Sequence, residues 1–587
     1  MRNADRTRLI FVAIVGVALL VLCTALVSSI WAPPTPPSAT VVVQESPQIA
    51  VPDSEVVEIL FWTNDTKADW VENVTERFNQ EQHRLASGRV VQVRVRQGDS
   101  PDALAEMLAG ALQPTAFSPG DTSWVNQANE RWQDLYNRLL VRDECPRLVY
   151  TAIGLGMWRP MAEAMGWPDT PIGWQDLVDL ANNPEGWAAY DHPEWGQFKF
   201  GHTNPGSSNT GLLALTSLAY AAAGVEEGLK PDLVYSDPVH DAFRELELNT
   251  YHYGTSTRSL FTAMARHGPA YLHAATNSEI GVQATNHFQR DDLWKPLVFI
   301  APEEGVFWSD NPYCVVDADW VSDEEREAAE VYQEYLLSEE AQEIAIDEWL
   351  RPGDRSIPLR SPIDLAHGVD PAITVESVPS LPSVSGETTD AIIDLFYQTK
   401  RPATVIVLLD TSQSMEGEKL NRALRGTQRF IDFLGRNDEL IVYRFGDDVV
   451  QLGPGGRVGE VGEALQLTIG NLFAEGNTAL YDAVCEGMET LQHLREADEA
   501  AGEARLYGII LLSDGQDTNS ERTESEMMYG CLPDAEATTG IKLFTIAYGE
   551  DADKQLLQRL ANRTNAFSYP AEPETIEAIY EKIAFEQ

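Results

Sequence analysis

Apolar and polar positions follow two different patterns along this chain, and the change falls near residue 400. Beyond it, short strongly apolar runs at 404–409, 439–445, 506–512 and 542–547 predict buried strands. Stretches with apolar residues every three or four positions, at 418–434, 480–494 and 575–585, predict helices between and after them. Apolar strands alternating with helices imply a mostly parallel sheet covered on both faces. The earlier pattern is subtler. It opens with the strand VEILFW, then a polar turn feeding a helix that carries Trp70, Val74 and Phe78 at a spacing of four. A valine-rich strand, VVQVRV, follows, and later FGHTNPGSSNTGLLAL sets a polar turn before an apolar helix. The long helical stretch EAAEVYQEYLLSEEAQEIAIDEWLRPG closes on Arg-Pro-Gly, which stops a helix.

The first residues carry a different signal. Arg2, Arg6 and Arg8 precede an almost unbroken apolar run over 9–30, long enough to cross a bilayer at about 20 residues per span. Positive charge on its amino side leaves the amino terminus in the cytoplasm. The expectation is a single-pass cell-membrane protein with the bulk of the chain extracytoplasmic. Residues 1–31 would be a cytoplasmic stub and transmembrane signal anchor, although Ser28, Ser29 and Ala32 leave cleavage open. Residues 32–55, with WAPPTPPS, read as a Pro-rich stalk.

Composition separates the two halves. All 14 tryptophans lie at or before Trp349. Residues 361–386, rich in Pro and Ser and poor in periodicity, read as a linker, and an amphipathic segment over 388–398 leads into the first strand of the second half. The expected domains are therefore 56–360 and 387–587. The chain's 587 residues and five cysteines suit several domains of roughly 150 residues each. Outside the anchor, Cys145 and Cys314 fall in one half and Cys485 and Cys531 in the other. Export permits disulfides, but spacing alone does not assign them.

A net charge of -49 argues against nucleic-acid binding, which depends on Lys and Arg displacing counterions from phosphates. Enzymatic motifs are missing: there is no G-x-S-x-G elbow, no G-x-x-x-x-G-K-[ST] loop and no H-E-x-x-H. The reading is a binding protein without catalysis.

Binding chemistry is concentrated in DTSQS, directly after the apolar run 404–409, where Asp410, Ser412 and Ser414 stand at a strand end. Thr478 in GNTALYDA and Asp514 in LLSDGQD complete a set of hard oxygen donors. Such donors suit Mg2+, or another divalent cation such as Mn2+ or Ca2+, and the lack of His or Cys argues against zinc. In open parallel sheets ligands bind beyond the strand carboxyl ends, where Asp410 and Asp514 fall. This set resembles the metal-ion-dependent adhesion site of the von Willebrand factor type A (VWA) domain, with its Asp-x-Ser-x-Ser, distant Thr and distant Asp. The resemblance implies a Rossmann-like, doubly wound α/β fold and a protein partner that offers an acidic residue to the metal.

The order of segments in the first half resembles bacterial extracellular solute-binding proteins of ABC-transporter type, through the opening strand and turn, NPGSSNTG, P-x-E-G-x-x-W and the final LLSEEAQ helix with Arg351 and Pro352. This resemblance implies a two-lobed α/β domain of periplasmic-binding-protein type, with a ligand cleft and a possible ABC permease partner. Helix amino termini favour an oxyanion or carboxylate. The candidate ligand-binding residues are Thr63, Asn64, Ser123, Ser207, Ser208, Asn209, Thr276 and Asn277. Trp62, Trp124 and Trp308 raise a sugar as the competing ligand.

Overall fold

The computed structural model describes residues 55–142, 144–206, 208–254, 256–533 and 540–585. The expected membrane anchor and nearly all of the stalk fall outside these residues, as does Ser207. Among the described residues no helix is long and apolar enough to cross a membrane.

Three sheets form among the described residues. In the first, the opening strand Val56–Asn64 pairs in parallel with Ala116–Ser118, which takes Cys314–Val315 as an antiparallel neighbour. Helix Ala68–Glu81 covers this sheet with Trp70, Val71, Val74 and Phe78, the spacing its sequence shows. Burying each large side chain contributes on the order of 1.5–3 kcal/mol. A Cys145–Cys314 disulfide ties the sheet to the segment leading out of it.

The second sheet is built on Val149–Trp158, buried at every position. It pairs antiparallel with Ala274–Ser278, Leu297–Ile300, Phe307–Ser309 and Arg351–Pro352. Two glycines permit this crowding. A Cβ on Gly154 would stand 2.4 Å from the Ile300 carbonyl oxygen, and one on Gly156 would stand 2.5 Å from the Phe261 ring.

The segment expected as a linker packs against this second sheet's core instead. Ile363, Val369, Val378 and Leu381 are buried there, and Val306 exchanges backbone hydrogen bonds with the passing strand at Pro379 and Leu381. The amphipathic lead-in is the helix Gly386–Thr399, which places Ala391, Ile392, Leu395 and Phe396 in the same core. Its apolar stripe had to be buried against something, and the nearest apolar surface belonged to the first half.

The third sheet has a parallel centre: Glu439–Phe445, Ala403–Asp410, Leu506–Ser513, Ile541–Tyr548 and Ser568–Ala571, with antiparallel edge strands Val449–Gln451 and Gly456–Arg457. Along the central strand, Val405, Val407 and Leu409 face one core and Ile406 and Leu408 the other. Helices Glu418–Phe433, Val458–Ile469 and Ile576–Phe585 fill the first core, while Leu480–Ala501 and Lys554–Arg563 fill the second. Strands buried on both faces read as unbroken apolar runs, which is how they appear in the sequence. Cys485 and Cys531 form a disulfide beside the second core. The third sheet also touches the preceding half: Leu506 and Phe567 pack on its core, and the Lys542 ammonium lies 4.5 Å from the Tyr271 ring centroid, in contact with His252.

Candidate metal centre and solute cleft

Asp410 ends the central strand and is fully buried. Its register partner is Phe445, whose carbonyl accepts from the Thr411 N–H at 2.8 Å, so the chain leaves the sheet in a fixed direction. The Asp410 carboxylate then accepts from the Ser412 N–H at 2.9 Å through Oδ1 and from the Ser513 hydroxyl at 2.7 Å through Oδ2. Burial pushes Asp410 up to about 6, an effect that its bonds to Ser412 and Ser513 offset in part and the neighbouring Asp514 charge reinforces.

The other donors gather around it. Ser412 Oγ lies 3.0 Å from Ser414 Oγ, and Ser414 donates to Asp514 Oδ1 at 2.7 Å. Asp514 is buried one residue past Leu506–Ser513, the strand beside that of Asp410. Thr478 comes from a third loop. That loop is stitched to the first by Gln413 N–H to the Gly476 carbonyl at 3.0 Å and Glu475 N–H to the Thr411 carbonyl at 2.8 Å. The Thr478 N–H also donates to the hydroxyl of Thr518, four residues beyond Asp514, and the Thr478 carbonyl accepts from the Thr518 N–H, both at 2.9 Å. Two loops at the carboxyl ends of parallel strands, and a third that leads from helix Val458–Ile469 into helix Leu480–Ala501, thus bring all five residues to one end of the sheet. Among the described residues no group of three or more His, Cys, Asp or Glu side chains is placed to hold a metal, so any ion here would rest on two carboxylates and hydroxyls. That donor set fits a small hard cation and poorly fits a soft one. An ammonium already takes part: Lys419 Nζ stands 2.9 Å from Asp514 Oδ2.

In the first half, a cavity of about 410 Å³ opens where the chain crosses between the first two sheets. Asp121, Thr122, Ser123, Arg147, Tyr150, Trp308, Asp310 and Arg355 line it together with Val375 and residues 380–383. Both carboxylates are engaged by the protein. Asp310 accepts from the Thr122 N–H and hydroxyl and from Arg147 Nε at 2.9, 2.6 and 3.0 Å, and Asp121 caps the helix Thr122–Tyr136 through the Ser123 N–H. Arg355 lies over the Tyr150 ring and pairs with Glu376.

Of the expected ligand residues, Ser123 is on the cavity wall. Thr63, Asn64, Thr276 and Asn277 are buried elsewhere, and the Asn64 side chain is occupied by the buried Lys67 ammonium. Ser208 caps the helix Asn209–Ala223, accepting from the Gly211 N–H at 3.4 Å. Trp308 is on the wall, whereas Trp62 is buried. Arg147, Tyr150 and Arg355 were not expected. Arg147 stands in no motif, and Arg355 follows the Arg-Pro-Gly closure without any motif of its own.

Comparison with known proteins matches two regions of the chain. Residues 59–348 match the model for bacterial extracellular solute-binding proteins, and residues 404–582 match that for the von Willebrand factor type A domain. The chain joins a solute-binding domain to a type A domain. Inter-alpha-trypsin inhibitor heavy chain H6 of Homo sapiens is 28% identical over 170 residues, covering 27% of this chain and 12% of the relative. Heavy chain H4 of Sus scrofa is 25% identical over 161 residues, covering 27% and 17%. The chain therefore spans a small part of the curated relatives it matches. Among solved structures, a putative extracellular solute-binding protein from Bordetella parapertussis is 12% identical with a TM-score of 0.39, covering 58% of this chain and 98% of its own. A type A domain protein from Catenulispora acidiphila is 18% identical with a TM-score of 0.27, covering 32% and 43%. The cluster of Asp410, Ser412, Ser414, Thr478 and Asp514 lies in the type A domain, and the cavity of Arg147 and Arg355 lies in and beside the solute-binding domain.

Proposed function

We propose that this protein is a membrane-anchored, extracytoplasmic binding protein without catalytic activity. Its type A domain holds a divalent cation, Mg2+ by preference, and uses it to capture an acidic side chain of a partner protein. The observation that carries this reading is the bonded run Asp410–Ser412–Ser414–Asp514, in which two buried carboxylates and two hydroxyls converge beyond adjacent parallel strands. Asp410, Ser412, Ser414, Thr478 and Asp514 would hold the ion, which when bound supplies a Lewis-acidic position for a carboxylate. Residues 1–31 supply the anchor in this reading. The test is partner capture by wild type with and without excess chelator, and by Asp410→Ala. Both chelator and substitution should abolish capture while the fold persists, and capture unchanged by either refutes the proposal.

A second reading is favoured by the cavity. The guanidiniums of Arg147 and Arg355 on its wall, the second lying over the Tyr150 ring, suit a small carboxylate or oxyanion better than a sugar, because Arg presents paired donors to planar anions. The protein would then be a solute receptor or sensor whose type A domain docks to an ABC permease or another membrane partner. A ligand-dependent rise in the melting temperature of the solute-binding domain supports it, and no rise with any carboxylate, oxyanion or sugar tried counts against it.

A further inference from the structure

Lys419 occupies the first turn of the helix Glu418–Phe433. Gly417, at φ 92°, takes a backbone conformation that favours glycine just before that helix begins. The Lys419 carbonyl accepts from the Tyr548 hydroxyl at 2.9 Å, which fixes the residue's backbone. Its side chain runs past Gly549, where even a methyl group would stand 3.4 Å from the ammonium, and ends on Asp514 Oδ2. The Lys419 side chain is 29% exposed and that of Asp514 is 0% exposed. Asp514 thus has one oxygen bound by Ser414, a hydroxyl of the same donor set, and the other bound by an ammonium of its own chain. A buried carboxylate needs a compensating charge, and Lys419 supplies one from the chain itself.

We infer that Lys419 is an internal counter-cation that competes with the divalent ion for Asp514 and lowers the affinity of the site. The inference rests on the metal reading given above. In the absence of metal the ammonium satisfies Asp514, so the loops stay assembled. A divalent ion that takes Asp514 meets an already compensated carboxylate, and its net gain is smaller by the strength of that ion pair. The displaced ammonium has a route outward, because its side chain is partly open to solvent. The site would therefore be folded at all cation concentrations and filled only above a threshold that Lys419 sets.

The experiment is Mn2+ titration of the full chain, followed by electron paramagnetic resonance of the free ion. D410A gives the background from the acidic surface, and K419M, K419Q and K419R are compared with wild type. K419M and K419Q should bind Mn2+ about tenfold more tightly, the scale of one partly buried ion pair, and K419R should stay near wild type. In chelator, K419M should melt at a lower temperature than wild type, because Asp514 is left uncompensated. Specific binding by wild type that is equal or tighter than binding by both neutral variants overturns the inference alone. Binding by no variant above the D410A background overturns the metal reading and this inference with it.

Discussion

Arg351→Met should destabilise the solute-binding domain severely. The Arg351 side chain is 7% exposed, and its Nε lies 2.9 and 3.0 Å from the two oxygens of Glu279, which is 0% exposed. Its other nitrogens donate to the Ile373 carbonyl at 2.6 Å and the Asp370 carbonyl at 3.2 Å. Removing the guanidinium leaves a buried carboxylate without its partner, which costs about 3–5 kcal/mol. The lost carbonyl bonds add roughly 1 kcal/mol each. With a urea dependence of roughly 3 kcal/mol per molar for a domain of this size, the midpoint should fall by about 1 M or more. Tryptophan fluorescence is the suitable assay, because all 14 tryptophans lie at or before Trp349 and the type A domain is silent. Replacing both partners, as Glu279→Met with Arg351→Met, should recover much of the loss, since an apolar pair leaves no stranded charge. A midpoint within about 0.3 M of wild type for the single variant, or a double variant no more stable than the single one, refutes the reasoning.

Two other predictions use the same signal. Burial, together with the Lys199 charge, pushes His273 down to about 3, and its Nδ1 accepts from Trp187 Nε1 at 2.9 Å and from the Lys199 N–H at 3.2 Å. A folded value below the unfolded one means that the unfolded chain takes up the proton first, so stability is lost as pH falls from about 6.5 toward about 3, by roughly 2 kcal/mol at about pH 5. His273→Gln should lose about that much less between about pH 7 and about pH 5, and an unchanged acid loss refutes the assignment. Gly211→Ala would place a methyl group 2.0 Å from the Thr203 carbonyl oxygen, so it should cost roughly 3 kcal/mol. Stability within about 0.5 kcal/mol of wild type would show that the helix Asn209–Ala223 has room to move.

The type A domain was legible because each central strand is buried on both faces and so is written as an apolar run. The run over 404–409 became Ala403–Asp410, and that over 506–512 became Leu506–Ser513. The helices Val458–Ile469 and Lys554–Arg563 were not foreseen. The second offers few apolar residues, Leu556, Leu557 and Leu560 among them, between charged and amide side chains. DTSQS stood out because the side chains of Asp410, Ser412 and Ser414 fall within five residues, whereas Lys419 belongs to no motif. Residues 361–386 were misread because Ile363, Val369, Val378 and Leu381 fill separate hollows and share no period. The wall of the cavity was invisible for a related reason: Arg147 and Arg355 meet only after the chain has crossed between sheets.

The helix Gly386–Thr399 ends three residues before the first strand of the type A domain, Ala403–Asp410. Three residues extend at most about 10 Å, so there is almost no slack between the two. A tensile load applied at the apex of the type A domain would run down its central strand and into a helix whose Ile392, Leu395 and Phe396 are buried in the neighbouring core. Extension then requires extracting that helix rather than paying out a tether.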